Sequence, residues 1–395
     1  MTRTGAAGPL VGLSMILALA LSPPTMAQTP IRVGATMSQT GAYSTQGAPA
    51  RNGYLLCQKH VNAKGGLLGR KIEFLIYDDQ SDIKTAPTLY EKLIVEDKVD
   101  AVLGPYGTAI TEAVADVPEK HRKVMVAANA ATSSIWEKGR RYLFMVLAPI
   151  DSAAAGVVDL AARNGLRTVA ILNQDALLPK AVASGTSQVA KKQGLEVVSS
   201  ETYPDGTTDF SATLKRLKAV NPDVLVAASA RLDDLVAVTR QMKEVDFNVK
   251  MLSSLPYGLL PEYQDRLGRD AEFVYSATFW EAALPNPGNP EFVAAYQDEF
   301  KRAPAVQSAN SYAGCRIFVE ALRRAGTTDS ERLRETLLVL RTKTILGDFA
   351  VDQRGFQVGQ KAVTIQWQGG KQVVVWPDDV ASARMRFPTP PWRER

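Results

Sequence analysis

The stretch VDAVLGPYGTAITEAV (residues 99–114) changes character at its centre. Its first part, VDAVL, is an apolar run with the length of a buried strand, and Gly104, Pro105 and Gly107 then interrupt it. Thr108 comes next, and the apolar residues after it recur at helical spacing. The stretch therefore predicts a strand followed by a helix, with a hydroxyl at a helical first turn that could hold an anion.

The same alternation of apolar run and amphipathic segment extends in both directions from this stretch. One series of strand–helix units ends near residue 150, and a second series begins there. Such alternation favours parallel sheets covered by helices, and 395 residues exceed what a single core usually supports. We therefore expect an α/β protein with two similar lobes. Ligands of such sheets bind beyond the carboxyl ends of the strands, which places the expected site in a cleft between the lobes.

The first 27 residues have the composition of a targeting segment. Arg3 precedes the apolar run PLVGLSMILALALS, and Thr25-Met26-Ala27 forms a small-residue cleavage pattern. We expect export with cleavage after about Ala27. A retained membrane anchor is the alternative, but the run is short for a span and Pro23-Pro24 ends it.

The composition argues against several classes of function. The 46 Lys and Arg residues exceed the 41 Asp and Glu residues by only five, and no basic arm with interleaved aromatic residues occurs, so no nucleic-acid partner is expected. The sequence contains no GxSxG elbow and no GxxxxGK[ST] loop, and His60 and His121 lie in charged, helix-like surroundings. We therefore expect neither an enzyme nor a bound cofactor.

Two further residue pairs leave alternatives open. Asp78-Asp79 ends a strand and could suggest a metal site, but carboxylates that orient a loop are the more common arrangement, and no metal is expected. Cys57 and Cys315 have no CxxC partner. In an exported protein they could form a disulfide or remain two buried thiols, since sequence alone does not give their separation.

A second hydroxyl-bearing loop, NAATSS (residues 129–134), follows the next apolar run, VMVA. Thr132 in this loop and Thr108 in the first each offer a hydroxyl near free backbone N–H groups, and a helix dipole adds about 0.3–1 kcal/mol for an anion. Each alone could be a plain helix cap. Together, on successive strands, they predict a carboxylate site.

With these loops in place, the sequence resembles the periplasmic leucine/isoleucine/valine-binding protein family over the whole mature chain. The matching segments are TGAYSTQG (40–47), VNAKGGLLGRKIEFLIYDDQSD (61–82), VDAVLGPYGT (99–108), AANAAT (127–132), YPDGTTDFSATLKRLKAVNPDVL (203–225) and SANSYAG (308–314). The resemblance implies two Rossmann-like lobes with parallel-rich sheets, joined by a hinge of three crossings. It places residues 28–149 and 279–350 in lobe 1, and residues 150–278 and 351–395 in lobe 2.

The resemblance also implies roles for residues of lobe 1. Thr108 and Thr132 would hold the ligand carboxylate, and the backbone carbonyl of Ala130 would accept from a ligand ammonium. The remaining residues expected to line the ligand on this side are Gln46, Tyr43, Tyr106 and Tyr312; Tyr106 could equally be plain packing.

Lobe 2 departs from the amino-acid-binding pattern. Leu178 stands where the family often has a tyrosine, and Leu255 or Pro256, with Tyr257 nearby, stands where it often has a glutamate. A buried ammonium without an acidic partner is unfavourable. Either another acid serves (Asp175, Asp233 or Glu281), or the ligand is an aromatic or aliphatic carboxylic acid without an ammonium.

The resemblance implies a periplasmic solute-binding component of an ABC importer. It would close its hinge on a small carboxylate and deliver it to a permease in the inner membrane, and the family norm is a monomer. A periplasmic sensor with the same fold is the alternative, because the two differ only in their partner.

Overall fold

A computed structural model describes residues 1–6, 8 and 29–395 of the chain. Most of the expected targeting segment, including the cleavage point after Ala27, lies outside the described residues. Among the residues that are described, no helix is both long and apolar enough to cross a membrane.

The first part of the chain forms a five-stranded sheet covered by helices. Its strand order is β2-β1-β3-β4-β5, and every pairing is parallel. The three short strands at β3, β4 and β5 are fully buried, as expected for a parallel sheet with helices on both faces. The elements are β1 (Ile31–Met37), α1 (Ser44–Ala63), β2 (Ile72–Asp78), α2 (Thr85–Val95), β3 (Ala101–Leu103), α3 (Thr108–Val114), α4 (Asp116–Lys120), β4 (Met125–Ala127) and β5 (Leu143–Met145).

The chain then builds a second sheet from further strand–helix units. The strands of this part pair in parallel in the order β10-β9-β8-β6-β7. The elements are α5 (Ala155–Arg163), β6 (Thr168–Gln174), α6 (Leu177–Lys192), β7 (Glu196–Tyr203), α7 (Ser211–Val220), β8 (Val224–Ala228), α8 (Leu232–Glu244), β9 (Met251–Leu255), α9 (Pro261–Leu267) and β10 (Tyr275–Thr278).

The next segment returns to the first sheet. Its long helix α11 (Val306–Ala325) contains Gly314. A Cβ atom at Gly314 would lie 2.6 Å from the Cβ of Ala128, so only glycine allows α11 to approach the end of β4 so closely. A disulfide between Cys57 of α1 and Cys315 of α11 holds the two long helices together, which resolves the alternative left open by the sequence. The elements are α10 (Asn289–Phe300), α11 (Val306–Ala325), α12 (Ser330–Val339), β11 (Thr342–Thr344) and β12 (Gly347–Phe349).

A final hairpin, β13 (Val363–Gln368) and β14 (Lys371–Trp376), completes the second sheet. It joins β10 through antiparallel pairing, so the sheet has seven strands in the order β14-β13-β10-β9-β8-β6-β7. The C-terminal residues pack on this sheet, where the indole of Trp392 donates to the carbonyl of Phe247 (2.8 Å).

The chain passes between the two sheets three times, after β5, after β10 and after β12. Gln360, which is buried in the third crossing, forms hydrogen bonds that link the three crossings. Its Oε1 accepts from the N–H of Ala148 (2.6 Å) and its Nε2 donates to the carbonyls of Phe279 and Leu346 (both 3.1 Å). The expected α/β fold of two parallel-rich lobes with a three-crossing hinge is therefore confirmed, while the residue boundaries of the lobes stay a prediction.

Candidate functional site

A cavity of about 180 Å³ lies between the two lobes. Residues that follow β3, β4 and β5 line one side, and residues that follow β6, β8, β9 and β10 line the other. The first turn of α11 also reaches the cavity, through Val306, Gln307 and Asn310. The cavity is thus where the carboxyl ends of strands from two α/β sheets meet, which is the usual ligand position in such folds.

The wall contributed by lobe 1 carries most of the polar side chains of the cavity. Thr108 lines the cavity, and its Oγ1 lies 3.1 Å from the Oγ1 of Thr132, which is 1% exposed and lies just behind it. The neighbouring polar side chains of this wall are Asn129, Gln307 and Asn310. The fold therefore brings the two threonine hydroxyls together, where both could donate to one anionic group.

Three tyrosines line the cavity and connect its walls. The rings of Tyr43 and Tyr106 meet edge to face, with centroids 5.9 Å apart. The hydroxyls of Tyr106 and Tyr257 share a hydrogen bond (3.3 Å) across the gap between the lobes. Burial raises the pKa of both Tyr106 and Tyr257, so these phenols stay neutral and can donate hydrogen bonds at neutral pH.

The Asp78-Asp79 pair orients the loop that carries Tyr43. Asp78 accepts from the N–H groups of Gln39 (2.9 Å) and Thr40 (3.2 Å). Buried Asp79 accepts from the hydroxyl of Ser38 (2.6 Å), and burial raises its pKa. Among the described residues, no group of three or more His, Cys, Asp or Glu side chains could hold a metal ion.

The wall contributed by lobe 2 is mainly apolar. Its lining includes Leu178, Pro256, Leu259 and Leu260, with Tyr257 among them. Of the described residues that line the cavity, on either wall, none is Asp, Glu, His, Lys or Arg. A molecule in this cavity would therefore find most of the hydrogen-bonding side chains on the lobe 1 side and mainly hydrocarbon on the lobe 2 side.

The three acidic residues considered as partners for a ligand ammonium lie elsewhere. Asp175 forms an ion pair with Lys180, and Asp233 pairs with Arg266 at 2.6 Å. Both aspartates line an adjoining outer cavity of about 900 Å³. Glu281 lines neither cavity, and burial raises its pKa.

The other residues expected at the ligand occupy different places. Gln46 lines the outer cavity. Ala130 and Leu255 are 2% and 1% exposed and lie behind the lining. Tyr312 lines a separate cavity of about 580 Å³, where its hydroxyl lies 2.9 Å from Nδ1 of His60. The structure does not bring these four side chains to the interlobe cavity, and their proposed ligand contacts stay predictions.

Sequence reasoning did not single out the amides of Asn129, Gln307 and Asn310. Asn129 lies in NAATSS, the segment in which Thr132 is the predicted ligand residue. Gln307 and Asn310 are three residues apart on α11 and therefore share one helical face. Two amides on one face of α11 are the signal that the sequence offers.

Two sheets whose strand ends enclose an uncharged cavity, with a three-crossing hinge between them, define a solute-binding protein. The chain belongs to the periplasmic binding protein family, whose model matches residues 30–372. A Leu/Ile/Val-binding protein homolog 7 of Brucella suis biovar 1 is 26% identical over 399 residues, which cover 96% of this chain and 99% of that relative.

Solved structures share the fold. A leucine binding protein of Thermotoga maritima has a TM-score of 0.77 at 22% identity, covering 89% of this chain and 100% of its own. A solute binding protein of an ABC transporter from Rhodopseudomonas palustris BisB5, in complex with 3,4-dihydroxy benzoic acid, has a TM-score of 0.75 at 23% identity, covering 93% and 99%. At such identities the likeness concerns the fold and leaves the ligand to the cavity's own chemistry.

Proposed function

We propose that this protein is the periplasmic component of an ABC importer and captures a small carboxylic acid whose body is uncharged and apolar or aromatic. The carboxylate would accept from the hydroxyls of Thr108 and Thr132, replacing the hydrogen bond that these two groups share. The body would lie against the apolar wall of lobe 2 and the tyrosine rings. The ligand is then delivered to a permease in the inner membrane.

One observation carries the choice of ligand class: Thr108 lines the cavity with the hydroxyl of Thr132 3.1 Å behind its own, and none of the described lining residues is acidic. A carboxylate is stabilised by charge-assisted hydrogen bonds from hydroxyl donors. An α-ammonium desolvated in the same cavity would lack a carboxylate partner, which is costly. The volume of about 180 Å³ also suits a single small ring, since a dry apolar cavity of about 150 Å³ accommodates benzene.

Capture is proposed to occur by closure of the lobes about the three crossings, with residues 28–149 and 279–350 in one lobe and residues 150–278 and 351–395 in the other. The hydrogen bond between Tyr106 and Tyr257 joins a loop of each sheet, so it would stabilise the arrangement in which the lobes are closed. A ligand that contacts both walls has differential affinity for the closed arrangement and shifts the equilibrium toward it.

A thermal-shift screen of the exported chain tests the ligand class. Benzoate, cinnamate and branched aliphatic acids would be compared with leucine, isoleucine and valine. A ligand at about 100 times its Kd stabilises the folded protein by about 2.7 kcal/mol. We expect stabilisation by one of the plain acids. Tight binding of a branched-chain amino acid, with none of the acids binding, would show that the ligand class is wrong.

A further inference from the structure

Two buried amide oxygens in the cavity wall have no hydrogen-bond partner. They are Oδ1 of Asn129 and Oδ1 of Asn310, in residues that are only 7% and 5% exposed. Both residues line the interlobe cavity. Buried polar groups in proteins are almost always paired, so an unpaired pair in a ligand cavity indicates that the ligand supplies the partner.

The surroundings fix the position of these amides. Nδ2 of Asn129 donates to Oγ of Ser311 (2.8 Å), so Asn129 is bonded to the start of α11, the helix that carries Asn310. One to two turns further along, close packing at Gly314 holds α11 against the end of β4, and the disulfide at Cys315 ties it to α1. The amides therefore belong to a rigid part of lobe 1.

The chemistry of an amide selects the ligand group. An asparagine offers one carbonyl acceptor and one NH₂ donor, and a hydroxyl is the ligand group that can both donate and accept. A second carboxylate could only accept, and an ammonium could only donate and would keep an unneutralised charge. A hydrocarbon in this place would leave both amide oxygens unpaired.

We propose that Asn310 and Asn129 form a subsite for hydroxyl groups on the body of the bound acid, in which each hydroxyl donates its one hydrogen to one of the two amide oxygens. The protein would therefore prefer hydroxylated carboxylic acids to their unsubstituted counterparts. This inference rests on the proposed function, because it takes the ligand to be an acid whose carboxylate is held at Thr108 and Thr132 in the same cavity. Asn310 is assigned as a specificity-determining residue for this ligand class.

Calorimetric titration of the unmodified protein with benzoate, 3-hydroxybenzoate and 4-hydroxybenzoate tests the preference without any substitution. We expect at least one hydroxylated acid to bind about tenfold tighter than benzoate, since a site built to pair a hydroxyl discriminates against the analogue that lacks it. Equal affinity for all three would overturn the subsite while leaving the proposed function intact. Absence of binding by all three acids, with leucine bound instead, would overturn both.

The variant Asn310→Leu, whose side chain has nearly the same shape, tests whether Asn310 is responsible for the preference for hydroxylated acids. The ratio of its affinity for the hydroxylated acid to its affinity for benzoate should fall about tenfold. Gln264→Met is the matched control, because Oε1 of Gln264 is also buried and unpartnered but lies outside this cavity. A preference that survives in Asn310→Leu, or disappears equally in Gln264→Met, would contradict the assignment.

Discussion

The two walls of the interlobe cavity differ in chemistry although both are built from loops after parallel strands. The lobe 1 wall presents the Thr108 hydroxyl and three amides, and the lobe 2 wall presents leucines, a proline and one tyrosine. Directional hydrogen bonds can fix the orientation of a ligand, and hydrocarbon can exclude water and select for shape. We therefore propose that lobe 1 forms the hydrogen bonds to the ligand, and that lobe 2 packs against the hydrocarbon of its body and closes over it.

Removing the hydroxyls of lobe 1 should have the largest effect. The double variant Thr108→Val, Thr132→Val keeps the side-chain shape and loses two charge-assisted hydrogen bonds, each worth about 1.5–3 kcal/mol. Affinity for the bound acid, measured by calorimetry, should fall by about 100-fold or more.

Thr111→Val is the control for that double variant. Thr111 is also buried on α3 with an unpartnered hydroxyl, but it does not line the cavity. Its substitution should leave the affinity unchanged. Equal losses in the control and the double variant would mean that packing, rather than the carboxylate, is responsible.

Placing a negative charge in the lobe 2 wall should have the next largest effect. Leu178→Glu sets a carboxylate opposite the ligand carboxylate in a cavity without a compensating charge, and like-charge contacts of this kind cost several kcal/mol. Acid binding should weaken by about 100-fold. Leu178→Met, which conserves volume, should bind within a few-fold of the unmodified protein. An unaffected Leu178→Glu variant would place the ligand away from this wall.

Weakening the connection between the walls should have a moderate effect. Tyr257→Phe removes the hydrogen bond to Tyr106, which favours the closed arrangement by about 0.5–1.5 kcal/mol, so affinity should fall about 3- to 10-fold. Tyr263→Phe is the matched control, since its hydroxyl pairs with Thr239 and Ser254 within lobe 2. That control should lower the free energy of unfolding and leave affinity unchanged.

The smallest effect concerns pH. The described cavity lining has no acid, base or histidine, so affinity should stay constant between about pH 6 and 8.

The free energy of unfolding, in contrast, should depend on pH. Burial lowers the pKa of His60, and the positive charges of Arg316, Lys64 and Lys59 lower it further. The unfolded chain then takes up a proton before the folded protein does, and stability falls as pH drops below about 6.5.

Denaturant unfolding of His60→Gln at several pH values checks the origin of this loss. The variant should lose less stability on acidification than the unmodified protein, by well under about 1 kcal/mol, since His60 is only half-buried beside Tyr312 and near Glu299. Affinity that changes with pH across this range would instead indicate a titrating group at the ligand.

Much of the fold could be predicted from the sequence because its signals are local. An apolar run broken by glycines, as before Thr108, identifies a strand end wherever it occurs, and the order of such units gives the two lobes. Thr132 is predicted from a related local signal, a hydroxyl-bearing loop that follows the apolar run VMVA. No local signal identifies Asn310, because it reaches the cavity only through the packing of α11 against β4, which is distant in the sequence. The Tyr106–Tyr257 contact depends likewise on how the two sheets face each other.

The disulfide between Cys57 and Cys315 makes most of the molecule a covalent ring. The two cysteines are 258 residues apart, and strands β6 to β10 of the second sheet lie between them. A single protease cut within that ring would therefore leave one molecule, whose two fragments separate on a gel only after reduction. In the chain-entropy picture, closing so large a ring disfavours the unfolded chain by on the order of 5 kcal/mol. An oxidising compartment, such as the one to which the sequence predicts export, would thus contribute directly to the persistence of the interlobe cleft.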